Sequence, residues 1–429
     1  MNRTADNLYC RRVNAWCLYD WANSAFATTV MAAFLPIFYA GVAAGHLPGA
    51  RATAYWGYTT AVSLAVAAIL SPLAGAAADH LGRRKRFLLV FALFGALATS
   101  LLATVGPGGW RRASLLYMLA HVPFVLSFVH YDSLLPFVAR PGDLDRISTR
   151  GYAVGYLGGG LLLLLNTAMV LFPSAFLLPS ATAGIRASFV TVTIWWLLFT
   201  IPLARRIPEP EASAPDGVPT LGAALAASVK RLSRTIREIR RYREAWKFLL
   251  AFWVYGDGIG TIIKMAVIYG AEIGIGRDDL IGALLAVQFV GVPFSFLFGR
   301  LAGRIGARTG IFLGLAVYAG IAVGAAFLSK PWHFWVLALL VGTVQGGTQA
   351  LSRSLFASLT PKERSAEWFG FFSVSSRFAG IAGPLLFGLV AQRTGTSRHA
   401  ILLLVLFFVA GALLLARVRP DRALPPENR

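Results

Sequence analysis

Two cysteines, Cys10 and Cys17, are all that the 429 residues contain. So few exclude a disulfide framework and a cysteine-rich metal cluster. Charge is also scarce. Asp, Glu, Lys and Arg make up 14% of the chain, against about 25% in soluble globular proteins. A soluble chain of this length would split into two or three domains with charged surfaces, and too little charge is present to coat them. Acidic residues are the rarer sign, 19 against 40 basic ones, which leaves a formal charge of +21. Walker, HExxH and GxSxG motifs are missing. ATP hydrolysis, zinc hydrolysis and serine hydrolysis therefore have no footing in the sequence. No catalytic residue, metal site or cofactor is expected.

What the chain has instead is apolar length. Hydrophobic residues make up 57%, and they come in blocks of the ~20 residues that cross a bilayer core as a helix. The first six blocks run roughly over 16–40, 53–78, 87–106, 113–138, 150–172 and 186–204. The second six run roughly over 246–270, 279–301, 309–328, 332–357, 367–391 and 399–416. The predicted fold is an all-α membrane protein of twelve transmembrane helices in two six-helix bundles, residues 1–204 and 246–429. The first block is too long for a signal-peptide core and carries Asp20, so it reads as a span and not as a cleaved leader.

Most of the Lys and Arg residues fall in alternate loops. Arg83, Arg84, Lys85 and Arg86 follow the second block, Arg140 and Arg146 the fourth, and Arg304 and Arg308 the eighth. That bias places these loops and both termini in the cytoplasm. The basic residues face anionic lipid headgroups and no nucleic acid, because they form short clusters between apolar blocks without aromatic interleaving. The segment 205–245 is polar. Its first part, near Pro208 to Pro219, is a Pro/Ala-rich linker. Leu221, Leu225, Val229, Leu232, Ile236 and Ile239 then recur every three or four residues among basic residues, predicting an amphipathic helix on the inner membrane surface.

The halves echo each other. Leu18-Tyr19-Asp20 has a counterpart in Tyr255-Gly256-Asp257. Gly75, Asp79 and Gly82 of the loop after the second block match Gly299, Gly303 and Gly306 after the eighth. Ser133-Leu134-Leu135 matches Ser354-Leu355-Phe356. Twofold repeats are typical of transporters whose bundles rock about a central site. Pro36, Pro72, Pro123, Pro293 and Pro384 mark expected kinks, and Gly155, Gly158, Gly159 and Gly160 allow close helix approach.

The stretch Gly75-Ala76-Ala77-Ala78-Asp79-His80-Leu81-Gly82-Arg83-Arg84-Lys85 resembles the loop signature of the major facilitator superfamily. His80 departs from its basic position, and the second copy has Gly303 where the acid would stand. Three further stretches resemble the branch of vacuolar amino acid effluxers of the autophagy-related type. They are Tyr19 to Phe26 (YDWANSAF), Gln345 to Ser354 (QGGTQALSRS) and Glu367 to Ser375 (EWFGFFSVS). The resemblance implies a secondary transporter that works as a monomer by alternating access in an inner or plasma membrane. It would export a small polar solute such as amino acids, with possible coupling to protons. Export of drug-like or lipid-linked amphiphiles, or a receptor or scaffold without transport, are the alternatives.

Charge within an apolar span costs at least ~2.5–3.5 kcal/mol, so it marks a cavity or a partner. Asp20, Asn23, Ser24 and Thr28 share one face of the first helix. Asp20 suits a proton or a substrate amine, or else a structural anchor. Asp257 and Lys264 stand on the seventh helix. Lys264 can hold a substrate carboxylate or snorkel to the interface. Arg377, on the eleventh, can hold that carboxylate or pair with Asp257. Gln345, Gln349 and Arg353 stand on the tenth, where the glutamines can bind solute or bond between helices. His121, His130 and Asp132 on the fourth helix suggest a proton relay or packing. The gating loop comprises Gly75, Asp79, Gly82, Arg83 and Arg84. In it Asp79 is expected to accept hydrogen bonds from a neighbouring helix N-terminus and to pair with Arg83.

Overall fold

The computed structural model describes residues 3–47, 49–210, 242–273, 275–378, 382–394 and 397–420. The predicted amphipathic helix near 221–239 and most of the linker lie outside the described residues. All the regular structure described is helical.

The first helix, α1 (Arg3–Ala25), continues without a break through wider turns over Phe26–Phe34 and Tyr39–Ala43. Pro36 lies between them and supplies no N–H to the ladder, a usual setting for such irregularity. The first half goes on with α2 (Gly49–Leu81), α3 (Arg84–Leu101), α4 (Trp110–Val138), α5 (Leu144–Leu171) and α6 (Ala181–Arg206). The second half comprises α7 (Arg243–Glu272), α8 (Arg277–Ile305), α9 (Ala307–Ala326), α10 (Pro331–Leu359), α11 (Ser365–Phe378), α12 (Ala382–Thr394) and α13 (Ser397–Ala416). Where the sequence predicts one span over 367–391, the described residues form two helices, α11 and α12.

Among the described residues, ten helices are long and apolar enough to cross a membrane. Their outward faces show why lipid is the fitting solvent. Leu93, Phe94, Leu97 and Leu101 of α3 are exposed at helical spacing, as are Leu402, Leu406, Val409 and Leu413 of α13. In water such stripes would form apolar patches far larger than soluble monomers carry. Polar residues take the opposite place: Asp20, Asn23, Asp79, Arg84, Asp257 and Arg353 are all buried. The chain is a multi-pass membrane protein.

Within the first half, α1 packs on α5 and α6, and α4 on α2 and α3. The second half repeats this scheme, with α8 on α10 and α7 and α9 on α13. Between the halves, α2 meets α11, α4 meets α11, and α5 meets α8 and α10. The loop after α2 turns at Gly82 with φ +60°, and the loop after α8 turns at Gly306 with φ +81°. Both are left-handed backbone positions that favour glycine at a helix C-terminus. At Gly82 the turn is closed by the Arg83 N–H donating to the Ala78 carbonyl at 3.0 Å. The repeat read in the sequence therefore has the same physical cause in both copies.

Candidate functional site

The site is assembled from α1, the ends of α2, α4 and α10 and the starts of α3, α5 and α11. Antiparallel connections bring these ends to one face. Two clusters join the halves there.

The first surrounds Arg353 of α10, which is 1% exposed. Its Nη1 donates to Asp132 Oδ1 at 3.0 Å and lies 3.6 Å from Asp20 Oδ2. Its Nε donates to Ser148 Oγ at 2.9 Å, and its Nη2 to the Ser148 carbonyl at 2.8 Å. Three rings wall the guanidinium: Tyr152 at 4.5 Å, Trp16 at 4.9 Å and Tyr131 at 5.5 Å from its carbon. The walls brace one another. Trp16 stacks on Tyr131 at 4.3 Å and donates its indole N–H to the Tyr131 carbonyl at 3.0 Å. The Tyr131 hydroxyl donates to Asp20 Oδ2 at 3.2 Å. Two carboxylates thus share one guanidinium in a site closed to water. Burial makes such an arrangement costly unless every charge is bonded, and removing one partner typically costs about 3–5 kcal/mol. Cation–π contact of a desolvated guanidinium adds roughly 2 kcal/mol.

The second cluster surrounds Asp79 of α2, which is fully buried. Its Oδ1 accepts from the Ala366 N–H at 3.2 Å and its Oδ2 from the Glu367 N–H at 2.8 Å. A carboxylate on a helix N-terminus satisfies free amides and faces the positive end of the helix dipole. The arginine beside it is Arg84, whose Nε donates to Asp79 Oδ1 at 2.5 Å and whose Nη2 donates to the Glu363 carbonyl. This corrects the expected pairing with Arg83, which is exposed. Gly82 reverses the chain and Arg84 opens α3, so one residue of spacing turns one arginine inward and the other to solvent. Gly75 allows the approach: a Cβ there would lie 2.2 Å from the Ala366 carbonyl oxygen. Gly299 of α8 stands in the same way against Thr149 of α5. Gly303, at the position of Asp79, has no neighbour within 4 Å of such a Cβ, so the second loop lacks the acid and its contact.

The other predicted residues are distributed differently. Asn23 lies one turn beyond Asp20, fully buried, and neither amide atom has a hydrogen-bond partner among the described residues. Gln345 and Gln349 are half-buried on α10, on the face that carries Arg353. Asp257 belongs to a separate place within the second half. Its Oδ2 accepts from the Gly383 N–H at 2.9 Å, at the start of α12. The side chains of Lys264 and Arg377 lie outside the described residues. The suggested relay is not brought together. His121 bonds to Ser63 Oγ at 2.7 Å, His130 stacks on Phe91, and Asp132 holds Arg353.

Sequence reasoning passed over Trp16, Tyr131, Ser148 and Tyr152. One signal pointed to Tyr131 and Asp132: they directly precede Ser133 in the repeat, where Ser352 and Arg353 precede Ser354.

With this geometry in place, comparison with known proteins is informative. The profile of the family described as "Vacuole effluxer Atg22 like" matches residues 10–426. The chain belongs to the Atg22-like family. One relative, named only as an MFS-type transporter, is YxiO of Bacillus subtilis. It is 38% identical over 412 residues, covering 96% of this chain and 95% of YxiO. Autophagy-related protein 22 of Coccidioides immitis is 26% identical, with 85% of this chain and 72% of that protein covered.

Among solved structures, the human organic anion transporter MFSD10 superposes with a TM-score of 0.73 at 14% identity, covering 95% of this chain and 99% of that one. The proton:xylose symporter XylE gives 0.72 at 12% identity, covering 99% and 98%. The fold of this Atg22-like chain is that of the major facilitator superfamily, and the chain is a membrane transporter of that type.

Proposed function

We propose that this Atg22-like protein is a secondary transporter whose halves rock to open one face of the membrane and then the other, moving a small polar solute. Amino acids are the solute class that the family resemblance implies. Twelve crossings are part of this reading. In it α7 and the α11–α12 pair add two crossings to the ten apolar helices, and the basic loops assign both termini to the cytoplasmic side of an inner or plasma membrane.

The observation that carries the reading is the pair of seals at one face. Asp79 of the first half holds the N-terminus of α11 in the second, and Arg353 of the second half sits in a cage built by the first. Both ties cross from one half to the other, as a gate that opens when the halves rock must. By the loop charge pattern the sealed face is cytoplasmic. Export then requires the seals to break so that solute enters from inside. Proton coupling fits the surplus of carboxylates in the cage, since a proton on one of them would weaken its hold on Arg353.

The test is counterflow in proteoliposomes with a labelled amino acid panel, with and without a pH gradient. Saturable exchange of one group supports the reading, and its acceleration by the gradient supports coupling. A folded protein that exchanges none of them removes the amino acid assignment.

A further inference from the structure

The cage around Arg353 is built wholly by the first half. Trp16 and Asp20 come from α1, Tyr131 and Asp132 from α4, and Tyr152 from α5. Its bracing bonds, Trp16 to the Tyr131 carbonyl and the Tyr131 hydroxyl to Asp20, do not involve Arg353. The cage therefore persists as a unit when the halves part, while its occupant leaves with the second half. What remains is two carboxylates and the faces of three aromatic rings. Carboxylates accept hydrogen bonds from N–H donors, and ring faces attract cations. Arg353 is thus a tethered cation held by chemistry suited to cations generally.

Building on the alternating-access reading, we propose that this cage is the binding site for a protonated amine of the transported solute, which takes the place of the Arg353 guanidinium when the cytoplasmic face opens. Solute and Arg353 then compete for one site, so the seal re-forms only as the amine moves on. The pairing favours organic amines over small inorganic cations, because an ammonium brings N–H donors to the carboxylates as well as charge to the ring faces. The site assignment accounts for two carboxylates facing a single arginine: an ammonium group with three N–H donors can engage both.

Two measurements test this. In wild-type proteoliposomes, counterflow of an exchanged amino acid is challenged with its decarboxylated amine and with its deaminated acid. The amine is expected to inhibit and the acid to leave exchange unchanged; equal inhibition by the acid overturns the proposal. In detergent, the melting of Arg353→Ala is followed with millimolar methylguanidinium and with sodium chloride of equal ionic strength. Methylguanidinium is expected to raise Tm by several degrees, and to do nothing for Arg353→Ala with Asp132→Asn. An equal response to sodium chloride overturns the proposal. Absence of any counterflow would count against the transport reading and leave the melting comparison to decide the cage. If Arg353→Ala does not fold, the wild-type competition decides it.

Discussion

Asp132 and Arg353 occupy matching positions in the two halves, each directly before the Ser-Leu of the repeat, and they form an ion pair with each other at 3.0 Å across 221 residues of sequence. Residues related by a twofold axis touch only when both lie close to that axis. The contact therefore sits at the pseudo-symmetry axis, between the bundles. Like charges there would repel the halves, and the opposite signs of Asp132 and Arg353 make the axis a point of closure.

Replacing Arg353 by Ala leaves two buried carboxylates without their cation. The expected loss is about 3–5 kcal/mol of stability in the sealed conformation. Arg353→Lys should restore part of it, because an ammonium keeps the charge and loses the fork that reaches Ser148 and Asp132 together. Melting in detergent, with maleimide labelling of a cysteine placed at position 148, reads both effects. Equal melting of wild type and Arg353→Ala would remove Arg353 from the closure.

Arg83 and Arg84 are adjacent and should behave in opposite ways. Arg83→Ala, at an exposed position, is expected to change stability by less than ~0.5 kcal/mol. Arg84→Ala strips a buried partner from Asp79 and frees the Glu363 carbonyl, for an expected loss of about 3 kcal/mol. Parallel melts of the two variants make the comparison, and a larger loss from Arg83→Ala would contradict the arrangement of the loop.

Ser71 of α2 and Ser373 of α11 place their hydroxyl oxygens 3.5 Å apart across the two halves. With Cys10 and Cys17 changed to Ser, cysteines at 71 and 373 should form a disulfide on mild oxidation, since side-chain oxygens 3.5 Å apart leave only a small movement to bring two sulfurs to bonding distance. Exchange should stop when the bond forms and return on reduction. Exchange that persists in the cross-linked protein would mean that α2 and α11 need not part.

Glu244, at the start of α7, ties down the chain beyond α13. It accepts from Lys247 Nζ and from the Arg419 N–H, each at 2.6 Å. Burial works to raise its carboxyl, yet the Lys247 and Arg419 bonds outweigh that and hold it below the usual carboxylate range. A lowered carboxylate contributes stability that is full above its unfolded value and fades as the pH falls through its folded value. Hydrogen exchange at residues 417–419, taken relative to the intrinsic amide rate at each pH, should therefore stay slow near neutral pH and quicken only in acid. Glu244→Gln should quicken it at neutral pH. Slow exchange in Glu244→Gln at neutral pH would show that the carboxylate does not hold this segment.

Much of the fold was legible because lipid imposes a one-dimensional rule. A helix must be apolar over the bilayer thickness, so length and composition revealed most spans. The glycine turn at Gly82 and the acid at Asp79 were equally legible, since a left-handed turn and a helix-capping carboxylate are local demands. The scarcity of charge within the apolar spans placed Asp20 and Arg353 among the candidates. What the sequence could not say is which charges meet. Asp20, Asp132 and Arg353 share a cage because the ends of three distant helices converge, and no spacing along the chain encodes that. The same holds for Arg84 over Arg83, where the direction of one helix start decides which arginine is buried. Composition and periodicity determined an all-helical, multi-pass membrane protein. Only the packing of one half against the other decided which charges close it, because buried ions take their meaning from neighbours that are close in space and remote in sequence.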